Sequence, residues 1–138
     1  MYVHWLRRPK IIYSHETALF LHNLCDRDPI EYTITVPTGY NATRLRKDGL
    51  YVFTIKRELY EIGVTQRPTI FGNDVAVYGL ERTICDCLRS RTNMDIAVVT
   101  DAIKRYVRRN DKNLHTLMNM AEIFHVTKLL RSYLEVLL

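Results

Sequence analysis

The spacing of apolar residues changes along the chain and divides it into a mixed first half and a helical second half. Lys10 to Tyr13 could form a short strand. The first predicted helix opens at Ser14, a favourable N-cap residue, and has an apolar body over residues 17–24. Pro29 blocks its continuation. Alternation with a period of two predicts a strand over residues 32–36.

Three further segments complete the predicted first half. Residues 41–47 form a short helix with Asn41 as its cap and Gly49 as its end. Residues 50–56 form a second strand, which we expect to be the more buried of the two. A hairpin joins residues 70–71 to residues 75–78, because the intervening Gly-Asn-Asp supplies turn chemistry.

From Leu80 onward apolar residues recur every three to four positions, which predicts four helices. The second begins near residues 92–95 and the third is capped by Asn113. The fourth starts near Thr127 and has a polar arc of only about 100°, so we expect most of its surface to be buried. The residues at the centres of the four apolar faces should share one core: Ile84, Ile103, Leu117, Phe124 and Leu134.

This order of elements predicts an α+β fold. It consists of a small, mostly antiparallel sheet with an N-terminal helix and a helical C-terminal half of about four helices. No internal repeat, low-complexity tract or Pro/Gly-rich linker divides the sequence. We therefore expect residues 1–138 to form a single domain, a length that can bury a core without disulfides.

Composition indicates a cytoplasmic protein with anionic partners. The net charge is +5, from 20 Lys and Arg against 15 Asp and Glu, and 14 of the basic residues are arginine, which suits phosphate recognition. Three cysteines, an odd number, indicate a reducing compartment rather than a disulfide framework. No apolar run reaches the roughly 20 residues of a membrane span, and the first ten residues lack a signal-peptide core.

The strongest charge feature lies on the second helix of the C-terminal half. Its cations cluster on one arc opposed only by Asp101 and Asp111, and three interpretations remain open: a solvated face, a phosphate-binding surface, or a surface for an acidic protein. The predicted nucleic-acid-binding residues are Lys104, Arg105, Arg108, Arg109 and Lys112. Two smaller clusters could extend this surface: Arg7, Arg8 and Lys10, and Arg44, Arg46 and Lys47.

A search for catalytic or metal-binding patterns finds none. There is no phosphate loop, nucleophile elbow or His-Glu-x-x-His motif. Asp86 has Arg82 and Arg89 at helical spacing, which predicts a solvated ion pair. Cys85 and Cys87 point apart on a helix, and His22 is expected to be a hydrogen-bonded core histidine. We therefore assign no catalytic residue, cofactor or metal ligand.

Four segments resemble the C-terminal domain of AbiEi-type antitoxins, which belong to abortive-infection toxin–antitoxin systems of the type IV class. They occur in the family's order from about residue 10 to the end of the chain. The segments are IYSHETAL (12–19), YTITVPTGYN (32–41), VYGLERTICD (77–86) and AIKRYV (102–107).

The resemblance implies a cytoplasmic bacterial phage-defence protein that represses its own operon and counteracts a nucleotidyltransferase-like toxin. A stable complex with the toxin is not required in this family. Members usually carry an N-terminal winged-helix DNA-binding domain, which we expect to be absent from residues 1–138. The family has no catalytic motif to carry over, and its positions at His15, Glu16, Glu81, Arg82 and Asp86 are interpreted as structural.

Two other functions remain open. The chain could be a stand-alone regulatory domain that binds DNA through non-specific phosphate contacts, or a nucleic-acid-processing enzyme that uses Asp86 or His15. The sequence also leaves self-association open.

Overall fold

The computed structural model describes residues 11–68 and 74–137. Ser14 and Asn113 occupy the N-cap positions that the sequence predicted, and Asp95, within the predicted start near residues 92–95, is the N-cap of a third helix. Asp95 accepts a hydrogen bond from the Ala97 amide, and Asn113 accepts one from the Thr116 amide. The helices are α1 (His15–Leu21), α2 (Thr43–Lys47), α3 (Arg57–Tyr60), α4 (Leu80–Arg89), α5 (Ile96–Val107), α6 (Leu114–Ile123) and α7 (Thr127–Leu137), with a 3₁₀ turn at Arg91–Asn93 between α4 and α5.

Five strands form one mixed sheet in the order β3-β2-β1-β5-β4. The strands are β1 (Ile12–Tyr13), β2 (Thr33–Pro37), β3 (Tyr51–Ile55), β4 (Val64–Pro68) and β5 (Asp74–Tyr78).

The prediction of a mostly antiparallel sheet is wrong. Strand β1 is antiparallel to β2, and β4 is antiparallel to β5, but β1 runs parallel to β5 and β2 runs parallel to β3. The cause lies in the connection between β2 and β3. Residues 38–50 contain α2, which acts as a crossover and brings the chain back in the same direction.

The predicted N-terminal helix also needs correction, because β1 precedes it and forms the centre of the sheet. Helix α1 ends at Leu21, before the predicted apolar body does. Asn23 has a left-handed φ of 62°, and the Leu24 amide donates to the Leu19 carbonyl at 2.8 Å. This is a Schellman ending, so α1 stops well before Pro29.

The two faces of the sheet contribute to two separate apolar clusters. Ile34 and Val36 of β2 pack with Leu45 of α2 on one face. The larger cluster is built by α1, α4, α5, α6 and α7. It confirms four of the five predicted core residues, namely Ile84, Ile103, Leu117 and Phe124, whereas Leu134 is only partly buried.

Three burial and boundary predictions also change. Strand β3 lies at the edge of the sheet, and its Tyr51 is exposed, so it is not the more buried strand. On α7 only Leu130 is fully buried among the described residues, because the helix packs along one side. The hairpin exists between β4 and β5, but its predicted first arm and turn lie outside the described residues: Ile70, Phe71, Gly72 and Asn73.

None of the helices in the described ranges combines the length and the apolar character that crossing a membrane requires.

Candidate functional site

Threonines of β2 fasten the first turn of α1 to the sheet. Thr33 and Thr17 exchange hydrogen bonds between their amides and hydroxyls, at 2.8 and 3.1 Å. The Thr33 hydroxyl also donates to the Ser14 carbonyl, and the Thr35 hydroxyl donates to Ser14 Oγ at 2.8 Å. All four side chains are buried. The Ser14 hydroxyl therefore belongs to a polar network rather than to a helix cap.

His15 occupies the centre of this network in an unusual backbone conformation. Its φ is 52°, in the left-handed region that non-glycine residues seldom adopt. The ring stacks on Phe53 with centroids 3.6 Å apart. Its Nδ1 lies 2.8 Å from Ser14 Oγ, and its Nε2 lies 3.1 Å from Ser90 Oγ. Every polar atom of the ring thus has a partner.

Burial keeps His15 neutral. Its desolvation, assisted by the positive charges of Arg89 and Arg82, lowers the pKa of His15 to about 3. Ser14 Oγ already accepts the Thr35 proton, so its own proton is available for Nδ1. This arrangement favours the tautomer in which Nε2 carries the proton and donates to Ser90.

The Arg82–Asp86 pair is buried, so the prediction of a solvated ion pair is wrong. Arg82 Nε donates to Asp86 Oδ2 at 3.3 Å, and the side chains are 1% and 4% exposed. Arg82 Nη1 also donates to the carbonyls of Leu59 and Ile62. The helical spacing was correct, but the residues after α3 and the rings beside α4 cover this face.

Aromatic rings enclose the Arg82 guanidinium on two sides. Its central carbon lies 3.6 Å from the centroid of Tyr78 and 4.4 Å from that of Phe124. Arg89, which was expected to reach Asp86, lies instead on the exposed side of α4, 5.7 Å from the Phe124 centroid. Two cation–π contacts and two backbone carbonyls therefore hold Arg82 in addition to Asp86.

Asp86 has a proton affinity unlike that of an ordinary surface carboxylate. Burial raises the pKa of Asp86 to about 6, although Arg82 and Arg89 act in the opposite direction. A small cavity of about 40 Å³ separates this carboxylate from His15. Arg82 Nη2 is buried and has no hydrogen-bond partner among the described residues.

A larger cleft of about 320 Å³ opens on the outer side of His15. Phe53 and Tyr51 of β3 form one wall, and Glu16 of α1 and Asp95 before α5 form another. His15 and Phe53 line both the cleft and the inner cavity, so the stacked pair separates them. This cleft can admit a small polar molecule.

The structure divides the predicted nucleic-acid-binding cations into two groups. Arg105 makes two 2.8 Å hydrogen bonds to Asp26 and a 2.9 Å contact to Asp101. Arg109 pairs with Asp111 and donates to the His22 carbonyl at 2.5 Å. These contacts raise the pKa of both arginines and lower that of Asp26 and Asp111.

The remaining cations of that set are exposed: Lys104, Arg108 and Lys112. Lys112 donates to the Arg109 carbonyl at 3.2 Å. Because α5 ends at Val107, Arg109 and Lys112 lie on the following turn rather than on the helix. The phosphate-binding interpretation of this surface remains a prediction, carried by three exposed cations.

His22 is confirmed as a core histidine, since it is buried and its Nε2 lies 2.8 Å from the Tyr78 carbonyl. Cys85 and Cys87 are buried thiols, and desolvation raises their pKa. Within the part of the chain that the structure describes, no three His, Cys, Asp or Glu side chains are placed to share a metal ion.

Sequence reasoning missed several polar contacts of the interior. The alternation in β2 predicted a strand but not the surroundings of its threonines, and Thr33 and Thr35 are buried under α1. Tyr106 donates to Glu81 Oε2 at 2.6 Å and accepts from the Asn113 amide at 2.9 Å. The apolar neighbours of Tyr106 predicted its burial but not its polar partner.

Comparison with known proteins does not place the chain in a family, so the proposed function is argued from its own residues. A scan against models of protein families matches none of them, and a search of curated proteins finds no matching relative.

Proposed function

We propose that the chain is an antitoxin domain of the AbiEi type. It acts in the bacterial cytoplasm as part of an abortive-infection system, counteracts a nucleotidyltransferase-like toxin, and contributes to transcriptional autoregulation by binding rather than by catalysis. One observation carries the proposal: the four sequence segments that carry the family resemblance meet in space and contact each other.

Each segment is joined to another by a specific contact. The Ser14 amide donates to the Thr33 carbonyl at 3.1 Å, which links the first segment to the second. Tyr13 pairs with Val77 in the parallel β1–β5 ladder, which links the first to the third. Tyr106 donates to Glu81, which links the third to the fourth. The segments therefore belong to one folded unit, as the segments of a shared domain would.

His15 and Asp86, the two candidate catalytic residues, are both engaged in structural contacts, which supports a binding role. Both nitrogens of His15 are engaged with serine hydroxyls, and its depressed pKa suits a neutral structural ring rather than a base near neutral pH. Asp86 is paired with Arg82 on the same helix. The DNA contacts of the proposed function fall to the exposed cations Lys104, Arg108 and Lys112.

Growth rescue tests the antitoxin function. The chain is co-expressed with a nucleotidyltransferase-like toxin of an abortive-infection system, and we expect it to relieve growth arrest. Glu122→Gln, on the exposed side of α6, is the control that should rescue as well as the wild type. A folded chain with a cooperative melt that gives no protection would overturn the proposal.

A turnover assay tests the enzymatic alternative. The purified chain is incubated with nucleic acid, nucleoside triphosphates and Mg²⁺, and we expect no cleavage or transfer. Robust turnover that Asp86→Asn abolishes would replace the antitoxin function with that of a nucleic-acid-processing enzyme.

A further inference from the structure

A basic groove lies at the C-terminal end of α4 and shares no residue with the predicted nucleic-acid surface. A cleft of about 600 Å³ is lined by Lys56, Arg89, Arg91 and His125. An adjoining cleft of about 470 Å³ shares Arg91 and His125 and adds Lys128. We call these five residues the basic groove. Within the described ranges, no aspartate or glutamate lines either cleft.

Direct ion pairs do not neutralise the groove among the described residues, although Arg89 acts electrostatically on the buried Asp86. Lys56, Arg89, Arg91 and Lys128 form no ion pair with any other residue that the structure describes. Arg91 uses Nη1 to donate to the Leu88 carbonyl at 3.0 Å, and the rest of its guanidinium remains available. Arg105 and Arg109, by contrast, are held by carboxylates. Like charges gathered in a concave site create a positive potential that attracts anions.

Helix electrostatics does not explain this clustering. Arg89 and Arg91 lie at the C-terminal end of α4, where the helix dipole favours cations. Lys128 lies in the first turn of α7, where the dipole disfavours a cation, and that turn contains no acidic residue. Lys56 is the N-cap residue of α3. Two of the four cations, Lys56 and Lys128, therefore lie where the helix dipole does not favour their charge, although Glu58 lies in the first turn of α3.

The lining favours phosphate groups over bases. Phe124, which lies beneath the groove, is only 3% exposed and offers no stacking surface. Thr54 adds a hydroxyl group to the wall, whereas the Thr38 hydroxyl donates to the Ile55 carbonyl at 3.0 Å. Lys128 and Leu129, in the first turn of α7, line the adjoining cleft with Arg91. Arginine, lysine and hydroxyl groups together make a surface suited to phosphate oxygens.

We propose that the basic groove binds consecutive phosphate groups. A free nucleotide and the backbone of a nucleic-acid strand both present this chemistry, and a concave site of this volume accommodates either. The groove is a different surface from Lys104, Arg108 and Lys112, and its ligand binding does not depend on the antitoxin function.

Two triple variants with the same loss of charge test the groove. The groove variant combines Lys56→Gln, Arg91→Gln and Lys128→Gln, and the matched control combines Arg27→Gln, Arg46→Gln and Arg131→Gln, three exposed cations that line neither cleft. Arg89 is retained because it contributes to the environment of Asp86 and Phe124. Binding of inorganic triphosphate is measured by calorimetry at low salt. We expect the groove variant to lose about tenfold or more in affinity, since charge-assisted bonds are lost, and the control to lose less than about twofold.

Competition identifies the source of the phosphates. ATP that displaces triphosphate at lower concentration than a single-stranded oligonucleotide indicates a nucleotide, and the reverse order indicates a strand; both support the groove. Equal weakening by the two triple variants would show a general charge effect and overturn the proposal, as would a wild-type chain that binds none of the three probes. Thermal melts confirm that both variants are folded. Growth rescue is scored separately, so failure here is distinguishable from failure of the antitoxin function.

Discussion

Arg82 shows how much one buried side chain can organise. Its guanidinium joins α4 to α3 through the Leu59 carbonyl and to the segment after α3 through the Ile62 carbonyl, and it lies between two aromatic rings. Removing one member of a buried ion pair leaves an uncompensated charge, whereas replacing both members with apolar groups is often tolerated. The geometry of Arg82 and Asp86 therefore predicts strong coupling.

We expect Arg82→Met to reduce the free energy of unfolding by about 3–5 kcal/mol, because Asp86 is left buried without its partner. The double variant Arg82→Met with Asp86→Leu should be more stable than Arg82→Met alone. Urea unfolding of the two single variants and the double variant measures the coupling. Arg105→Met, which removes an exposed pair, serves as the control and should change stability little. Additive losses in the cycle would contradict the coupling.

At the scale of single residues, the sequence predicted which side chains pair better than it predicted whether they are buried. The i, i+4 spacing of Arg82 and Asp86 was sufficient to pair them. Their burial depends on Leu59, Ile62 and Phe124, which come from other elements and have no regular spacing to α4. A helical wheel cannot show what packs on its polar side.

Among the elements, those with strong local signals were predictable. The approximate start of α5 and the cap of α6 could be located because Asp95 and Asn113 bond locally to the first turn of each helix. Strand β4 was missed because Val64–Pro68 is exposed and lacks apolar alternation. Its strand character comes from pairing with β5, a contact that no local pattern contains. Helix α3 was missed because its four residues are too few to show a helical period.

Gly63 lies in the turn before β4, where this turn contacts both Gly79 and Arg82 closely. Its φ is 78°, its carbonyl accepts the Gly79 amide at 2.8 Å, and an added Cβ would lie 3.1 Å from Arg82 Cβ. We expect Gly63→Ala to cost about 1–2 kcal/mol for the left-handed backbone alone, with a further loss from the steric contact.

Gly49→Ala is the matched control for Gly63→Ala. Gly49 has a similar φ of 88°, but an added Cβ would meet nothing within 4 Å. Thermal or urea unfolding should therefore show a smaller loss for Gly49→Ala than for Gly63→Ala. Equal losses would mean that the turn can move away from α4 without cost.

The stability of the whole molecule depends on two buried groups that respond oppositely to pH. His15 stays neutral in the folded chain down to a pKa of about 3, so its contribution is present above about pH 6.5 and is lost as the pH falls. Asp86, with a pKa of about 6, takes up a proton in the folded chain before the unfolded chain does. Its contribution therefore grows as the pH falls from about 6 to about 4, and the two effects oppose each other.

Asp86→Asn should remove the contribution of Asp86 to this pH dependence of stability. Between pH 6 and pH 4 we expect the variant to lose stability more steeply than the wild type, by up to about 1.4 kcal/mol per pH unit, the limit for one proton. Urea unfolding at several pH values measures the difference. Glu122→Gln, on the exposed side of α6, is the control that should leave the profile unchanged. Parallel profiles for Asp86→Asn and the wild type would contradict the opposing titrations.

The central position of β1 has a consequence for the order of folding. The β4–β5 hairpin and the β2–β3 crossover close over short stretches of chain, whereas pairing of Tyr13 with Val77 must close a loop that spans nearly half of the sequence. The entropy lost on closing a loop rises with its length, and long-range pairing slows folding. The two halves of the sheet can therefore form early as separate units. Pairing of the two-residue strand β1 with β5 then joins these units, and we expect this pairing to be the slowest step.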